Sequence, residues 1–249
     1  MYVGRLPPHR TAPDNGAAED PMSTNDNPTT AGVATQDSSN DRRSVEERRQ
    51  QLVDAALKVM AEQGLTKATT RAITEEAGLA LGAFHYAFTS KDELLGAVIE
   101  QTVGEIDAVL MRTFEAAEPQ DTAGDEQALV VEVLGRFVAD LWDYFEATPQ
   151  LHLAQYELTL HALRDPSLRH LAERQYDLYS ATVARGLGRL TGEVGSGAAN
   201  ELARYVVATV DGLLLQWLVE GDAEAARARL ARYQRTLPAI VTAHWEPLD

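Results

Sequence analysis

The chain has 249 residues, of which 45% are hydrophobic and 24% are charged, so the composition predicts a globular protein of one larger domain or two small ones. Cysteine is absent, which excludes a disulfide scaffold, a zinc site built on cysteine and a cysteine nucleophile. No apolar run of about 18 residues and no apolar signal-peptide core occurs, so we expect a soluble cytoplasmic protein without membrane contact.

The net charge of −16 is distributed unevenly along the chain. Residues 42–91 carry eight basic and six acidic side chains and hold all three lysines, whereas the segments on either side are acidic. A basic segment on an acidic chain is typical of a nucleic-acid contact, because the acidic remainder repels polyanions elsewhere. Chance clustering of basic residues is the alternative.

Residues 1–41 are expected to be disordered, because five prolines lie there among polar residues and little apolar area offsets the entropy of ordering. From Ser44 onward the apolar residues repeat with a helical period, and no convincing strand pattern occurs. Ser44 and Glu47 have the spacing of a capping box, which predicts that the first helix begins there and ends before Gly64.

Two short helices are predicted next. Thr69 is a suitable N-cap for a helix from Thr70 to Ala77, and Gly78 suits the left-handed conformation that ends a helix. A second short helix is expected from about Leu81 to Phe88, and a long helix follows the cap residue Ser90. Two short helices joined by a turn that contains glycine predict a helix-turn-helix.

These segments resemble the DNA-binding domain of the TetR family of transcriptional regulators over residues 45–100. The resemblance rests on RQQLVDAAL from Arg49, TTRAITEEAGL from Thr69 and FHYAFTSKDELL from Phe84. It implies an all-α protein with a helix-turn-helix DNA-binding domain over residues 42–91. It further implies a helical domain over residues 92–249 that binds a small molecule and forms a homodimer.

The candidate DNA contacts lie at helix starts and on the outer face of the second short helix. Helix starts suit phosphate, and arginine supplies the matching charge. His85 and Tyr86 point outward if Phe84 and Phe88 point inward, and by resemblance they and Lys91 match phosphate contacts of the family. Simple capping or a solvated surface is the alternative for each member of the set, which is Arg48, Arg49, Thr69, Thr70, Arg71, Leu81, Gly82, Ala83, His85, Tyr86 and Lys91.

The start of the second short helix departs from the family pattern. Ala80 stands where the family often has a capping serine, so the usual hydroxyl donor to phosphate is missing. Leu81 and Ala83 are suited to contact thymine methyl groups instead. Gly82 permits close approach of the backbone to DNA, or serves tight helix packing.

The remainder of the chain predicts helices over about 126–147, 150–164, 167–190, 198–220 and 223–243. Aromatic residues concentrate there, which suits a cavity for a small apolar or aromatic ligand, although plain core is the alternative for any one of them. The candidate cavity residues are Phe137, Trp142, Phe145, Tyr156, His161 and Tyr176.

The resemblance implies that the last two long helices form a twofold interface, with the two recognition helices about 34 Å apart. The candidate interface residues are Val206, Val210, Leu213, Leu214 and Trp217, and Trp217 belongs either to this interface or to the core.

No catalytic residue, cofactor or metal site is predicted. His152, His161 and His170 are nine residues apart and therefore do not share a helix face. The leading hypothesis is a regulator that binds a double-stranded DNA operator, and more specifically a repressor that a small-molecule effector releases. The alternatives are an all-α small-molecule enzyme and a ligand-independent activator with the same fold.

Overall fold

The computed structural model describes residues 33–116, 126–191 and 197–245, and all regular secondary structure in these ranges is helical. The prediction of an all-α fold is confirmed, and the five predicted C-terminal helices agree with the structure to within about two residues at each end. The helices are α1 (Val33–Gln63), α2 (Thr70–Glu76), α3 (Leu81–Ala87), α4 (Lys91–Ala116), α5 (Glu126–Ala147), α6 (Pro149–Arg164), α7 (Arg169–Thr191), α8 (Gly197–Glu220) and α9 (Ala223–Trp245), with a short 3-10 helix at Leu65–Lys67.

Helix α1 begins earlier than the sequence predicts. It starts at Val33 and runs through Ser44 and Glu47, so the expected capping box does not mark the N-terminus of the helix. Extending an existing helix adds a backbone hydrogen bond for each residue and needs no new nucleus, which explains how a polar segment continues it. The structure thus assigns helix to residues 33–41, while residues 1–32 of the segment expected to be disordered lie outside the described residues.

Residues 42–249 form one compact unit with two hydrophobic cores. The first core joins α1, α2, α3 and the first half of α4 to parts of α6 and α7. The second core joins the end of α4 to α5, α7, α8 and α9. Helix α4 thus contributes Leu94 and Val98 to the first core and Val109 and Leu110 to the second, and it crosses the boundary expected between residues 91 and 92.

Helix α8 combines length with an apolar sequence. Within the described ranges, it alone is long and apolar enough to cross a membrane by length and composition. Its inner face packs in the second core through Leu202, Val206, Val210 and Leu214, which recur every four residues. This packing places Asp211 beside Tyr156 of α6 and Tyr176 of α7.

Candidate DNA-binding surface and ligand cavity

The turn between α2 and α3 is built by local hydrogen bonds. The hydroxyl oxygen of Thr69 accepts a hydrogen bond from the backbone N–H of Ala72 at 3.2 Å and caps α2. Gly78 follows α2 with a φ of +68°, a left-handed conformation that favours glycine. The N–H of Leu79 then donates to the carbonyl of Thr74 at 2.9 Å. The chain therefore turns directly into α3 and forms a helix-turn-helix.

Helix α3 has one buried and one exposed face. Phe84 and Phe88 are buried in the first core, whereas Leu81 is 51% exposed and Tyr86 is 81% exposed. His85 is also exposed. Exposed apolar and aromatic groups that lie together on one helix face often mark an interaction surface, so this face is the candidate surface for the major groove of DNA.

Arg49 ties the end of α3 to α4. Its Nη1 donates to the carboxylate of Glu93 at 2.7 Å and also to the backbone carbonyl of Ala87. Its guanidinium carbon lies 4.2 Å from the centre of the Phe88 ring, which adds a cation–π contact. These contacts hold α3, the second helix of the helix-turn-helix, against the first core.

Glu93 completes this junction from the first turn of α4. Its carboxylate accepts hydrogen bonds from the backbone N–H and the hydroxyl of Thr89, both at 2.8 Å. Its own N–H donates to Ser90 Oγ at 3.1 Å, which confirms Ser90 as the cap of α4. The hydrogen bond from the Thr89 backbone, followed by those from Arg49 and the Thr89 hydroxyl, lowers the pKa of Glu93 to about 2.

A cavity of about 70 Å³ lies between helices α4, α5, α6, α7 and α8. Aliphatic and aromatic side chains form most of its wall, and a few polar groups converge on it, as is typical of small-molecule sites. The lining residues are Ile106, Phe137, Leu141, Phe145, His152, Gln155, Tyr156, Thr159, Gln175, Tyr176, Tyr179, Val183, Val206, Val207, Val210 and Asp211.

Asp211 is the charged group of the cavity wall. Its carboxylate accepts a hydrogen bond from the hydroxyl of Tyr156 at 2.7 Å and another from the hydroxyl of Tyr176 at 3.0 Å. Burial, followed by the negative charge of Asp211, raises the pKa of both tyrosines above the usual range. The two hydroxyls therefore stay protonated and serve as donors to Asp211.

A second polar group of the cavity consists of neutral side chains on α6 and α7. The Thr159 hydroxyl donates to Gln175 Oε1 at 2.9 Å, and Gln175 Nε2 donates to the Tyr179 oxygen at 3.0 Å. His152 lies 3.2 Å from Gln155 Oε1, and burial lowers the pKa of His152 to about 4. His152 is therefore uncharged at neutral pH.

Two family models match this chain. Residues 52–98 match the model described as bacterial regulatory proteins of the tetR family, and residues 125–237 match the one described as the C-terminal domain of tetracyclin repressor-like proteins. The first match spans the helix-turn-helix, and the second includes most of the cavity wall.

Individual relatives match over most of their length. The nicotine-responsive transcriptional repressor HdnoR of Paenarthrobacter nicotinovorans is 30% identical over 181 residues, which are 72% of this chain and 88% of that protein. The regulator BetI of Escherichia coli is 32% identical over 70% of this chain and 84% of its own. The crystal structure of the multidrug binding protein EbrR with ethidium is 30% identical, covers 74% of this chain and 97% of its own, and has a TM-score of 0.52.

The chain belongs to the TetR family. It is a ligand-responsive, DNA-binding transcriptional regulator, and this part of the prediction from sequence is confirmed. Its relatives are transcriptional regulators rather than enzymes.

The structure of this TetR-family chain supports most of the candidate DNA residues as surface positions. Thr69, Arg71, Leu81, Gly82, His85 and Tyr86 are exposed, and Arg48, Thr70, Ala83 and Lys91 are half-buried. Arg71 pairs with Glu75 at 2.9 Å on the surface. A Cβ atom added at Gly82 would meet no atom within 4 Å, so packing within the chain does not explain this glycine.

Arg49 is engaged by contacts within the chain rather than directed to the DNA surface. The sequence predicts a charged residue at the solvated start of a helix, but α1 begins 16 residues earlier and places Arg49 against the end of α3. Because its guanidinium is engaged by Glu93, Ala87 and Phe88, we assign Arg49 a structural role.

Four of the six predicted cavity residues line the cavity, namely Phe137, Phe145, Tyr156 and Tyr176. Trp142 instead packs inside the second core, with its ring 5.9 Å from that of Trp217. His161 is exposed on α6, because it lies five residues after Tyr156 and the two therefore point in different directions.

The sequence contained a signal for Asp211 that the prediction missed. Asp211 is the only charged residue between Arg204 and Glu220, a stretch that is otherwise apolar or neutral. A single carboxylate inside an apolar helix face costs free energy unless a partner satisfies it, so such a residue indicates a site. Gln155 and Thr159 lie within one turn of Tyr156 and could have been found from that spacing.

The structure places most of the predicted dimer-interface residues inside the chain. Val206, Val210, Leu214 and Trp217 are buried within the single chain, and only Leu213 is half-buried. Helix α8 has apolar residues on both faces, and the stripe chosen from the sequence is the one that packs in the second core. The opposite face exposes Tyr205, Leu215 and Val219.

Helix α6 packs in the first core through Ala154, Leu158 and Ala162, and a hydrogen bond adds to this contact with the DNA-binding part of the chain. The Glu157 carboxylate accepts a hydrogen bond from the backbone N–H of Leu65 at 2.7 Å. The neighbouring residue Gly64 has a φ of +83°, and a Cβ atom there would lie 3.1 Å from Glu157. Helix α6 therefore touches both the cavity, through Tyr156, and the turn that precedes α2, through Glu157.

Proposed function

We propose that the chain is a homodimeric cytoplasmic repressor that leaves its DNA operator when a small molecule fills the cavity. The observation that carries this proposal is the polar-edged cavity beside a helix, α6, that is hydrogen bonded to the DNA-binding part. The names of two relatives support it, since HdnoR is a nicotine-responsive repressor and EbrR was crystallised with ethidium.

The proposed DNA-binding surface is the exposed face of α3 with the start of α2 and of α4. Tyr86 and His85 contact the DNA at the edge of the major groove. Leu81 and Ala83 contact bases through apolar groups. Thr69, Thr70, Arg71 and Lys91 contact phosphate, because hydroxyls, helix starts and cations suit that anion. Arg48 is kept as a proposed phosphate contact, and Arg49 is not.

The proposed dimer interface is the outer face of α8. Tyr205, Ala208, Gly212, Leu215 and Val219 recur every three or four residues and form one stripe on that helix. Leu215 is 47% exposed and Val219 is 79% exposed, and burying such a stripe against a second copy removes apolar area from water. Twofold pairing also suits DNA half-sites on successive turns.

Ligand entry acts through α6 in this proposal. A ligand that contacts Tyr156 favours one position of α6, and the adjacent Glu157 transmits that position to Gly64 and Leu65. The DNA-binding parts of the dimer then no longer fit successive major grooves. This is a shift between two populations, so the ligand has to bind the DNA-free geometry more tightly than the DNA-bound one.

The function is tested by recovering genomic DNA fragments bound by the full chain and measuring their affinity by fluorescence anisotropy. Lys91→Ala should weaken all fragments about equally and lower the salt dependence by about one unit for each half-site. Tyr86→Phe should cost about 1–3 kcal/mol of binding free energy if its hydroxyl bonds to DNA. Wild-type affinity in both variants would contradict the proposed surface, and a ligand that strengthens DNA binding would contradict release from the operator.

The dimer is tested by light scattering on Leu215→Arg. We expect this variant to shift toward monomer, because a charge is costly to bury in an apolar interface. Leu163→Arg is the matched control, because Leu163 is also 47% exposed but lies on α6. An unchanged mass for Leu215→Arg would contradict this interface.

A further inference from the structure

The cavity wall holds a carboxylate without a cationic partner. Among the residues that the structure describes, no lysine or arginine lines the cavity, and no ion pair includes Asp211. The nearest ionisable base on the wall, His152, is buried and uncharged at neutral pH. The wall therefore carries one net negative charge.

Two neutral hydroxyls donate to this carboxylate, which is half-buried. Tyr156 and Tyr176 donate to separate oxygens of Asp211, at 2.7 and 3.0 Å. Hydrogen bonds from neutral donors offset part of the cost of taking a carboxylate out of water, but they leave its charge uncompensated. A positively charged ligand group beside Asp211 would replace the hydration that the carboxylate has lost. The surrounding apolar wall would strengthen the attraction between the two charges.

Aromatic rings near Asp211 also favour a positively charged ligand. Tyr156, Tyr176 and Tyr179 all line the cavity, and the rings of Tyr176 and Tyr179 are 5.9 Å apart in an edge-to-face arrangement. The faces of such rings attract cations, while their area suits a flat apolar body. The carboxylate and the rings thus favour the same kind of molecule.

We propose that the cavity selects an organic monocation with a flat apolar body, whose positive group lies against Asp211. This inference rests on the proposed function, because it assigns the chemical class of the effector of that same cavity. Gln155 adds a second feature: its Nε2 is buried and has no acceptor among the described residues. A hydrogen-bond acceptor on the ligand satisfies that donor.

The test compares dyes that differ in charge. Thioflavin T is a flat monocation, its parent without the ring N-methyl group is uncharged, and anilinonaphthalene sulfonate is an anion. Titration of the full chain should show that thioflavin T binds at least about ten-fold more tightly than its uncharged parent. The anion should bind more weakly than either. Equal affinities for the charged and uncharged dyes would overturn the proposal.

The variant Asp211→Asn tests whether Asp211 causes the preference for the cationic dye over the uncharged dye. It should reduce the preference for thioflavin T to within about two-fold, and it should leave the affinity for the uncharged dye nearly unchanged. Glu201→Gln is the matched control, since it removes one negative charge from the exposed face of the same helix. An equal loss for both dyes, or an equal effect of Glu201→Gln, would overturn the assignment. If Asp211→Asn does not fold, the comparison of dyes on the unmodified chain still tests whether the cavity prefers a cation.

Operator binding separates this inference from the proposed function. If thioflavin T binds with the expected dependence on Asp211 but leaves operator affinity unchanged, the ligand class is supported and effector control through the cavity is contradicted. If uncharged compounds release the chain from DNA and charge has no effect on their affinity, the proposed function is supported and the cation proposal is overturned.

Discussion

The helix-turn-helix and the ligand cavity of this chain are specified over very different distances along the sequence. In the helix-turn-helix, the helix caps, the turn and the hydrogen bonds of Glu93 connect residues within the range 69–93. Arg49 on α1 is the exception, because it reaches Glu93 from outside this range. The cavity instead collects side chains from five helices between Ile106 and Asp211. The first region can be recognised from short motifs, whereas the second exists only after packing of the bundle.

The difference in packing predicts unequal costs for two phenylalanines of equal burial. Phe84 and Phe137 are both 1% exposed, but Phe84 packs in the first core and Phe137 borders the cavity. We expect Phe84→Ala to lower the free energy of unfolding by about 4 kcal/mol and Phe137→Ala by about 3 kcal/mol, because the ring of Phe137 has neighbours on fewer sides. Urea unfolding measures both, and a larger loss for Phe137→Ala would contradict the comparison.

This contrast explains what the sequence predicted and what it did not. Thr69, Gly78 and Ser90 have the expected roles because caps and turns depend on residues within one or two helical turns. Arg49 was misassigned because its partners Ala87 and Glu93 are about 40 residues away. The burial of the stripe from Val206 to Trp217 was not predicted, because a helix with two apolar faces does not indicate which face meets its own chain.

Arg49→Ala should separate structural arginines from those at the DNA surface. Loss of the Glu93 pair, the Ala87 hydrogen bond and the Phe88 contact should lower the free energy of unfolding by about 2 kcal/mol, since the group is partly buried. Operator affinity should fall as well, because α3 loses its support. Arg71→Ala is the control: its surface pair with Glu75 should change stability by less than about 0.5 kcal/mol. Equal stability losses in the two variants would remove the distinction.

His152 gives the cavity region a pH dependence. Burial holds the pKa of His152 near 4, below its usual value of about 6.5, so the unfolded chain binds the proton more readily. The corresponding stability is present above pH 6.5 and is lost as the pH falls toward 4. The loss should reach about 2 kcal/mol at pH 5. Because His152→Gln cannot titrate, the difference in unfolding free energy between wild type and variant should shrink by that amount from pH 7.5 to 5. A constant difference would show that His152 does not titrate in this way.

The smallest expected effect on stability tests how the two regions communicate. Glu157→Gln keeps an oxygen that accepts the Leu65 N–H but removes the charge that strengthens the bond, so stability should fall by about 1 kcal/mol or less. Thioflavin T should bind with unchanged affinity, because Glu157 does not line the cavity. The weakening of operator binding caused by the dye should nevertheless decrease, since α6 then holds Gly64 and Leu65 less firmly.

The control for this experiment is Glu173→Gln, which removes an exposed carboxylate from α7 that pairs with Arg169 on the same helix. Coupling between ligand and operator is a free energy shared by the two sites, and it is obtained from the affinities with one or both ligands bound. A decrease in that coupling in Glu157→Gln alone, with both separate affinities intact, would assign the signal to α6. Unchanged coupling would mean that the signal reaches the DNA-binding part through the packing of α4, α6 and α7 in the first core rather than through Glu157.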